Sequence, residues 1–285
     1  MTALVLGSGG QLGSLLVHAL EAENYWVTGV EQTRLDITDE KAVRSLAAMY
    51  EPDVIVNCAA FTDVDGCEKN PDLAMRVNAL GAGNAARAAQ MAGAKLVHIS
   101  TGYVFPGTGN EPLREWDTPA PRSVYGKSKL LGEELVRQNC PHSFILRTAW
   151  LYGSAGSFVE SILRAALQRD HIRVVEDQTG SPTNALDLCR HIAKLCPTQH
   201  YGLYHCAGKG ACSRYDFARE IVELAGIPCR VEPCRTEEFP RPAPRPAYAA
   251  LDNCLLRCTV GDNMRPWREA LREYMNTQKT GGETP

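Results

Sequence analysis

No run of this 285-residue chain reaches the roughly 18 consecutive apolar residues of a membrane-spanning helix. Nor is there a surplus of charge: 30 Lys and Arg against 33 Asp and Glu leave a formal net charge of −3, with both signs scattered along the sequence. Without a basic stripe, nucleic acid is not an expected partner, and an anionic small ligand has to be met by local positive groups. A Cys-x-x-Cys pair is also missing. The eleven cysteines are an odd number placed singly, and the nearest metal-like spacings, Cys254 with Cys258 and Cys229 with Cys234, have no matching second pair. Free thiols in a reducing compartment are expected, not disulfides or zinc. The opening "MTALVLGSGG" enters an apolar strand directly, with no basic n-region, long apolar stretch or small-residue cleavage site. A soluble, cytoplasmic protein with no membrane partner is expected.

What is present is an alternation of short apolar runs and longer helical patterns. "ALVLG" precedes "QLGSLLVHALEAE", "WVTGVE" precedes "DEKAVRSLAAMY", "DVIVN" precedes "DLAMRVNALGAGNAARAAQMAG", and "KLVHIS" and "SFILRTAW" flank a helix around Tyr125. Continuous apolar strands between amphipathic helices predict a doubly wound parallel α/β sheet of Rossmann type. Past residue 150 the pattern loosens into helices such as "SFVESILRAALQRD" and "SRYDFAREIVELAG", the latter opened by a Ser N-cap, with short strands between them. A smaller C-terminal α+β substrate domain is therefore expected. The division is residues 1–150 with 185–207 for dinucleotide binding, 151–184 with 208–276 for substrate, and a frayed tail over 277–285. In "FPRPAPRPAY" four alternating prolines exclude regular helix and central strand, leaving an extended loop.

Strand one ends in "GSGGQLG", which sets Gly7, Gly10 and Gly13 at three-residue spacing where a strand turns into a helix. Such a loop, with Gln11 and Leu12, suits a tight turn and close backbone approach to a pyrophosphate at a helix N-terminus. It is not the Gly-x-Gly-x-x-Gly of the standard fingerprint, and a merely tight turn is the alternative. Glu31 closes the second run, where a carboxylate would accept from an adenosine ribose; Arg34 three residues later would neutralise a 2′-phosphate. The two point in opposite directions, so NADH against NADPH stays open. Asp36 and Ile37 in "LDITD" belong to the same cofactor region, although Asp36 serves equally as a helix-start acid. Tyr125 and Lys129 in "SVYGKSK" stand four apart, on one helical face. A phenol beside an ammonium gives up its proton more easily, yet the pair alone is also an ordinary surface helix.

Nine segments in order carry a resemblance: "GQLG", "LDITD", "NCAAFTDVDGCE", "VNALGAGNAA", "YGKSKLLGE", "RTAWLYG", "DQTGSPT", "YHCAG" with "YDFA", and "RPAYAALDN". Together, from residue 3 to about 272, they resemble the extended short-chain dehydrogenases/reductases, and within them the dTDP-4-dehydrorhamnose reductase family. The resemblance implies reduction of the C4 ketone of dTDP-4-dehydro-L-rhamnose by NADPH or NADH, giving dTDP-L-rhamnose. It implies Thr101 as the hydroxyl beside the carbonyl, Tyr125 as general acid and Lys129 as the holder of the nicotinamide ribose. Ala59, Ala60 and Thr62 would run along the cofactor, Tyr103 and Trp150 would face the sugar, and Arg245 would meet the substrate pyrophosphate. Tyr103 and Trp150 also suit plain core packing. Family members can use Mg2+ at a homodimer contact, for which the sequence places no ligands.

One departure stands out. Where the family reads Ser-Thr-Asp-Tyr-Val-Phe, this chain has Gly102 for the aspartate. That removes either an acceptor for sugar hydroxyls or a support for the active-site loop. It also argues against the related 4,6-dehydratases, which place an Asp-Glu pair there for elimination. Two rivals remain at this level: a reductase or epimerase of another nucleotide 4-keto sugar, and a regulatory subunit like that of methionine adenosyltransferase.

Overall fold

The computed structural model describes residues 1–154 and 156–280, with the side chains of 279 and 280 excepted. In chain order come β1 (Thr2–Leu6), α1 (Gln11–Ala22), β2 (Trp26–Val30), α2 (Glu40–Tyr50), β3 (Val54–Asn57), α3 (Val64–Lys69), α4 (Pro71–Ala74), α5 (Gly81–Ala92) and β4 (Lys95–Thr101). Then follow α6 (Val124–Asn139), β5 (Ser143–Thr148), β6 (Leu151–Tyr152), α7 (Phe158–Gln168), β7 (His171–Val175), β8 (Thr179–Gly180), β9 (Thr183–Asn184), α8 (Ala185–Leu195) and β10 (Gly202–His205). The chain ends through β11 (Cys212–Ser213), α9 (Arg214–Ala225), β12 (Arg230–Cys234), β13 (Tyr248–Ala249), α10 (Cys254–Cys258) and α11 (Trp267–Thr280).

Six strands form the main sheet in the order β10-β5-β4-β3-β1-β2, every neighbour parallel. The apolar runs explain this: β3 and β5 are buried at every residue, as strands covered on both faces must be. On one face Leu12, Leu16 and Leu20 of α1 meet Leu188 and Ile192 of α8. On the other, Val43 and Ala47 of α2 pack with Ala82, Ala85 and Ala89 of α5 and Val136 of α6. Each fully buried large side chain contributes about 1.5–3 kcal/mol relative to exposure. A third cluster, built from α7, α9, β7 and α11 around Phe217, lies apart from the sheet.

The chain leaves β1 toward β2 on one side and later returns to place β3 on the other. This reversal opens a crevice at the carboxyl ends of β1 and β3, where ligands collect in open α/β sheets.

Two expectations are corrected. Residues 277–280 continue α11 and do not form a tail; 281–285 lie outside the described residues. The stretch read as one helix, "DLAMRVNALGAGNAARAAQMAG", is interrupted by a π-helical segment at Met75–Leu80. Its wider turn carries Asn78, whose buried side chain makes three hydrogen bonds outside the helix that offset the poorer geometry. All eleven cysteines are free thiols.

Candidate active site

The glycine loop builds the first wall. Gly7 takes φ +79, in the left-handed region. A Cβ on Gly13 would lie 2.2 Å from the Gly7 carbonyl oxygen, so only glycine lets α1 start this close beneath the loop. α1 starts at Gln11 without a side-chain hydrogen bond at its N-cap, Gly10. The Glu31 carboxyl group hangs over the loop: a Cβ on Gly9 would meet its Cδ at 3.2 Å.

Two cavities run along this loop. One of about 420 Å³ is lined by Gly7, Gly10, Glu31, Asp36, Ile37, Ala59 and Ala60. Arg34 is not in its lining, and Asp36 accepts from the Thr38 amide at 2.9 Å. The other, about 640 Å³, is lined by Gln11, Leu12, Thr62, Thr101, Tyr103, Tyr125, Lys129 and Trp150, and also by Arg214. Gly10, Cys58 and Ala60 belong to both, so the two join into one channel. Gly13 acts from behind the loop.

Ser123 starts α6 by accepting from the Gly126 amide at 3.1 Å, which aims Tyr125 and Lys129 into the larger cavity. Lys129, 3% exposed, donates from Nζ to the Ile99 carbonyl at 2.5 Å. Burial pulls its pKa down to about 8, partly opposed by Glu133 and Cys58. Tyr125 meets Tyr103 edge to face at 5.8 Å between ring centroids. Burial holds its phenol above the usual tyrosine range; the Thr101 hydroxyl, hydrogen-bonded to it, pulls the other way. The expected depression of Tyr125 by Lys129 is therefore not what the protein has. Desolvation dominates, and Lys129 is not among the leading influences.

Three residues were missed by sequence reasoning. Asn78 accepts from the Phe61 amide at 2.8 Å and donates to the Phe61 carbonyl at 3.1 Å and to Ser128 Oγ at 3.0 Å. It thereby fixes the loop after β3 against the turn of α6 between Tyr125 and Lys129. Asn57, at the end of β3, accepts from the Ala59 amide at 3.1 Å and sets the backbone along the channel. Arg214, the first residue of α9, lines the larger cavity with its guanidinium 3.7 Å from the Trp150 ring centroid and 4.7 Å from that of Phe158. Its signal was a cation at a helix N-terminus, where the helix dipole disfavours it.

Arg245, by contrast, is outside the lining and pairs with Asp65 at 3.0 Å. Gly102 does not line the cavity either; a Cβ there would start against Leu251 Cδ2 at 3.4 Å and the Ala249 carbonyl at 3.6 Å. A longer side chain at 102 would thus begin as support for the segment after β13. Among the described residues no group of three or more His, Cys, Asp or Glu could hold a metal ion. Among the same residues no helix is long and apolar enough to cross a membrane.

Residues 1–280 match the family described as RmlD substrate binding domain. The spore coat polysaccharide biosynthesis protein SpsK of Bacillus subtilis is 44% identical, covering 97% of this chain and 98% of that protein. The crystal structure of a dTDP-4-dehydrorhamnose reductase from Clostridium acetobutylicum superposes with a TM-score of 0.96 at 46% identity, covering 98% of this chain and 100% of that one. The dTDP-4-dehydrorhamnose reductase of Bacillus anthracis, solved in complex with NADP, has a TM-score of 0.95 at 41% identity, covering 97% and 99%.

Proposed function

The chain belongs to the RmlD substrate binding domain family, and from that premise we propose that it reduces the C4 ketone of dTDP-4-dehydro-L-rhamnose to give dTDP-L-rhamnose. The observation that carries this reading is the meeting of Thr101, Tyr125 and Lys129 in one cavity continuous with the glycine loop. The residues present fit a nicotinamide cofactor. A loop that only glycine allows to close on α1, the N-terminus of that helix beside it and a buried lysine facing the channel match a pyrophosphate and a ribose. When bound, NADPH or NADH supplies the hydride.

The protein's own residues do the rest. We assign Gly7, Gly10, Gln11, Leu12 and Gly13 to the pyrophosphate turn, Glu31, Asp36 and Ile37 to the adenosine end, and Ala59, Ala60 and Thr62 to the flank. Lys129, anchored by Ile99, keeps its remaining ammonium hydrogens for the ribose hydroxyls. As charge builds on the C4 oxygen, Thr101 and Tyr125 donate hydrogen bonds to it, and Tyr125 then transfers its proton. A raised pKa serves that role, because the phenol stays protonated until the developing alkoxide calls for the proton. Tyr103 and Trp150 would bound the sugar, with residues 151–184 and 208–276 as the substrate part and 1–150 with 185–207 as the cofactor part.

The test is oxidation of NADPH and NADH with enzymatically prepared dTDP-4-dehydro-L-rhamnose, run beside Tyr125→Phe. Turnover that falls by about a hundredfold or more in the variant supports the assignment. Cofactor that binds but is never oxidised with this sugar overturns it.

A further inference from the structure

Among the described residues Arg214 is a cation with no ion-pair partner: no carboxylate lies within 4.0 Å of it, and its polar partner is the Tyr103 side chain. The acid of the same helical turn, Asp216, is engaged by the Ser213 amide and hydroxyl, the latter at 2.7 Å. The nearby Arg245 adds a second positive charge, itself tied to Asp65. At the first position of α9 the guanidinium also adds to the positive end of the helix dipole, where a cation is disfavoured.

The surroundings hold it in place. Trp150 sits at φ +45, a strained backbone for a bulky residue. Its indole packs so tightly on Gly180 that a Cβ there would lie 2.5 Å from Cε2. The guanidinium lies over this fixed ring, with Phe158 close by. A preorganised, unpaired arginine lining a cavity, one side chain away from Tyr125 through Tyr103, is arranged to receive an anion.

We propose that Arg214 binds the diphosphate of the nucleotide sugar, the role that the sequence suggested for Arg245, and so sets the distance between the phosphates and the Tyr125 phenol. The inference rests on the functional reading above for the substrate class. The shared cavity suits it: Arg214 and Tyr125 line the same space, and in a nucleotide sugar the phosphate at C1 lies across one pyranose ring from the carbonyl at C4. Arg214 therefore serves binding of the ground state and the transition state alike and leaves the proton transfer to Tyr125.

The experiment is titration of dTDP, and of thymidine as the phosphate-free probe, into the full-length protein and into Arg214→Gln and Arg214→Lys. NADPH binding is measured on all three as the check of fold. The expected result is dTDP affinity at least tenfold weaker in Arg214→Gln and intermediate in Arg214→Lys, with thymidine and NADPH affinities unchanged. In turnover, KM rises while kcat stays within about threefold, a split that a general loss of packing would not give. Equal dTDP affinity in wild type and Arg214→Gln, with NADPH binding kept, overturns the inference; so does a wild-type protein that binds no dTDP. If Arg214→Gln loses NADPH binding, Arg214→Lys decides by the same criterion. Failure of the functional reading looks different: dTDP binds through Arg214, yet dTDP-4-dehydro-L-rhamnose is not reduced.

Discussion

The Lys129 ammonium donates to the carbonyl oxygen of Ile99 at 2.5 Å, tying α6 to the end of β4. The bond orients a charge that burial disfavours, and the balance leaves the lysine pKa at about 8. As pH rises through that value the ammonium loses its proton, and with it the positive charge facing the cofactor channel. We expect kcat/KM, which reports groups of the free enzyme, to fall above about pH 8. Arg214 cannot produce this limb, since a guanidinium stays charged, and Tyr125 titrates higher still. In Lys129→Arg the limb should vanish from the profile even where activity is reduced. A limb at the same pH in that variant would remove Lys129 as its source.

Thr101 is the main group pulling the Tyr125 phenol back toward its ordinary range. Thr101→Val removes that hydrogen bond and the donor we assign to the reacting oxygen, so kcat should drop by about tenfold to a thousandfold with little change in cofactor affinity. Thr101→Ser keeps the hydroxyl and should retain most of the rate. Equal rates for serine and valine would dismiss the hydroxyl's part.

Beneath α6, Glu133 and Arg147 form a pair at 2.7 Å, 0% and 1% exposed, with Ser100 donating to the same carboxylate at 2.5 Å. Removing one partner strands a buried charge. Glu133→Gln should destabilise by about 3–5 kcal/mol, read as a lower urea midpoint. Loss of the negative charge that supports Lys129 should also move the alkaline limb of kcat/KM downward. Addition of Arg147→Met should recover part of the stability, because the uncompensated charge is gone.

Acid should unfold the protein through histidines held neutral. Burial lowers His98 well below its usual value, His191 to about 4 and His205 to about 3. The unfolded chain takes up protons near pH 6.5 while the fold does not, so stability is full above that value and declines as pH falls toward the folded values. Each histidine contributes up to about 1.4 kcal/mol per pH unit in that window. Urea midpoints at about pH 7 and about pH 5 should differ accordingly, and His205→Gln should shrink the difference. An unchanged pH dependence in that variant would exclude His205 from it.

The parts of the site legible in the sequence are those fixed by local spacing. Gly7, Gly10 and Gly13 follow from a turn that any pyrophosphate loop needs, and Tyr125 with Lys129 from the period of a helix. Arg214 was hidden because its meaning depends on Trp150, Phe158 and Tyr103, which come from distant parts of the chain. Arg245 was suggested for a role that its ion pair with Asp65 does not favour, since nothing in "RPAY" reveals a partner on α3. Asn78 was read as ordinary helix, because a π-helical turn leaves no mark in apolar periodicity.

By itself the sequence determined the order of strands and helices, the parallel sheet and the place of the glycine turn. Side-chain burial along a strand or helix is a local, periodic property, and a tight turn has few residues that can make it. The tertiary structure alone decided the electrostatics. Tyr125 is raised and not lowered, Lys129 is depressed, and Arg214 stands unpaired in the cavity, because desolvation and pairing depend on what surrounds a group in space.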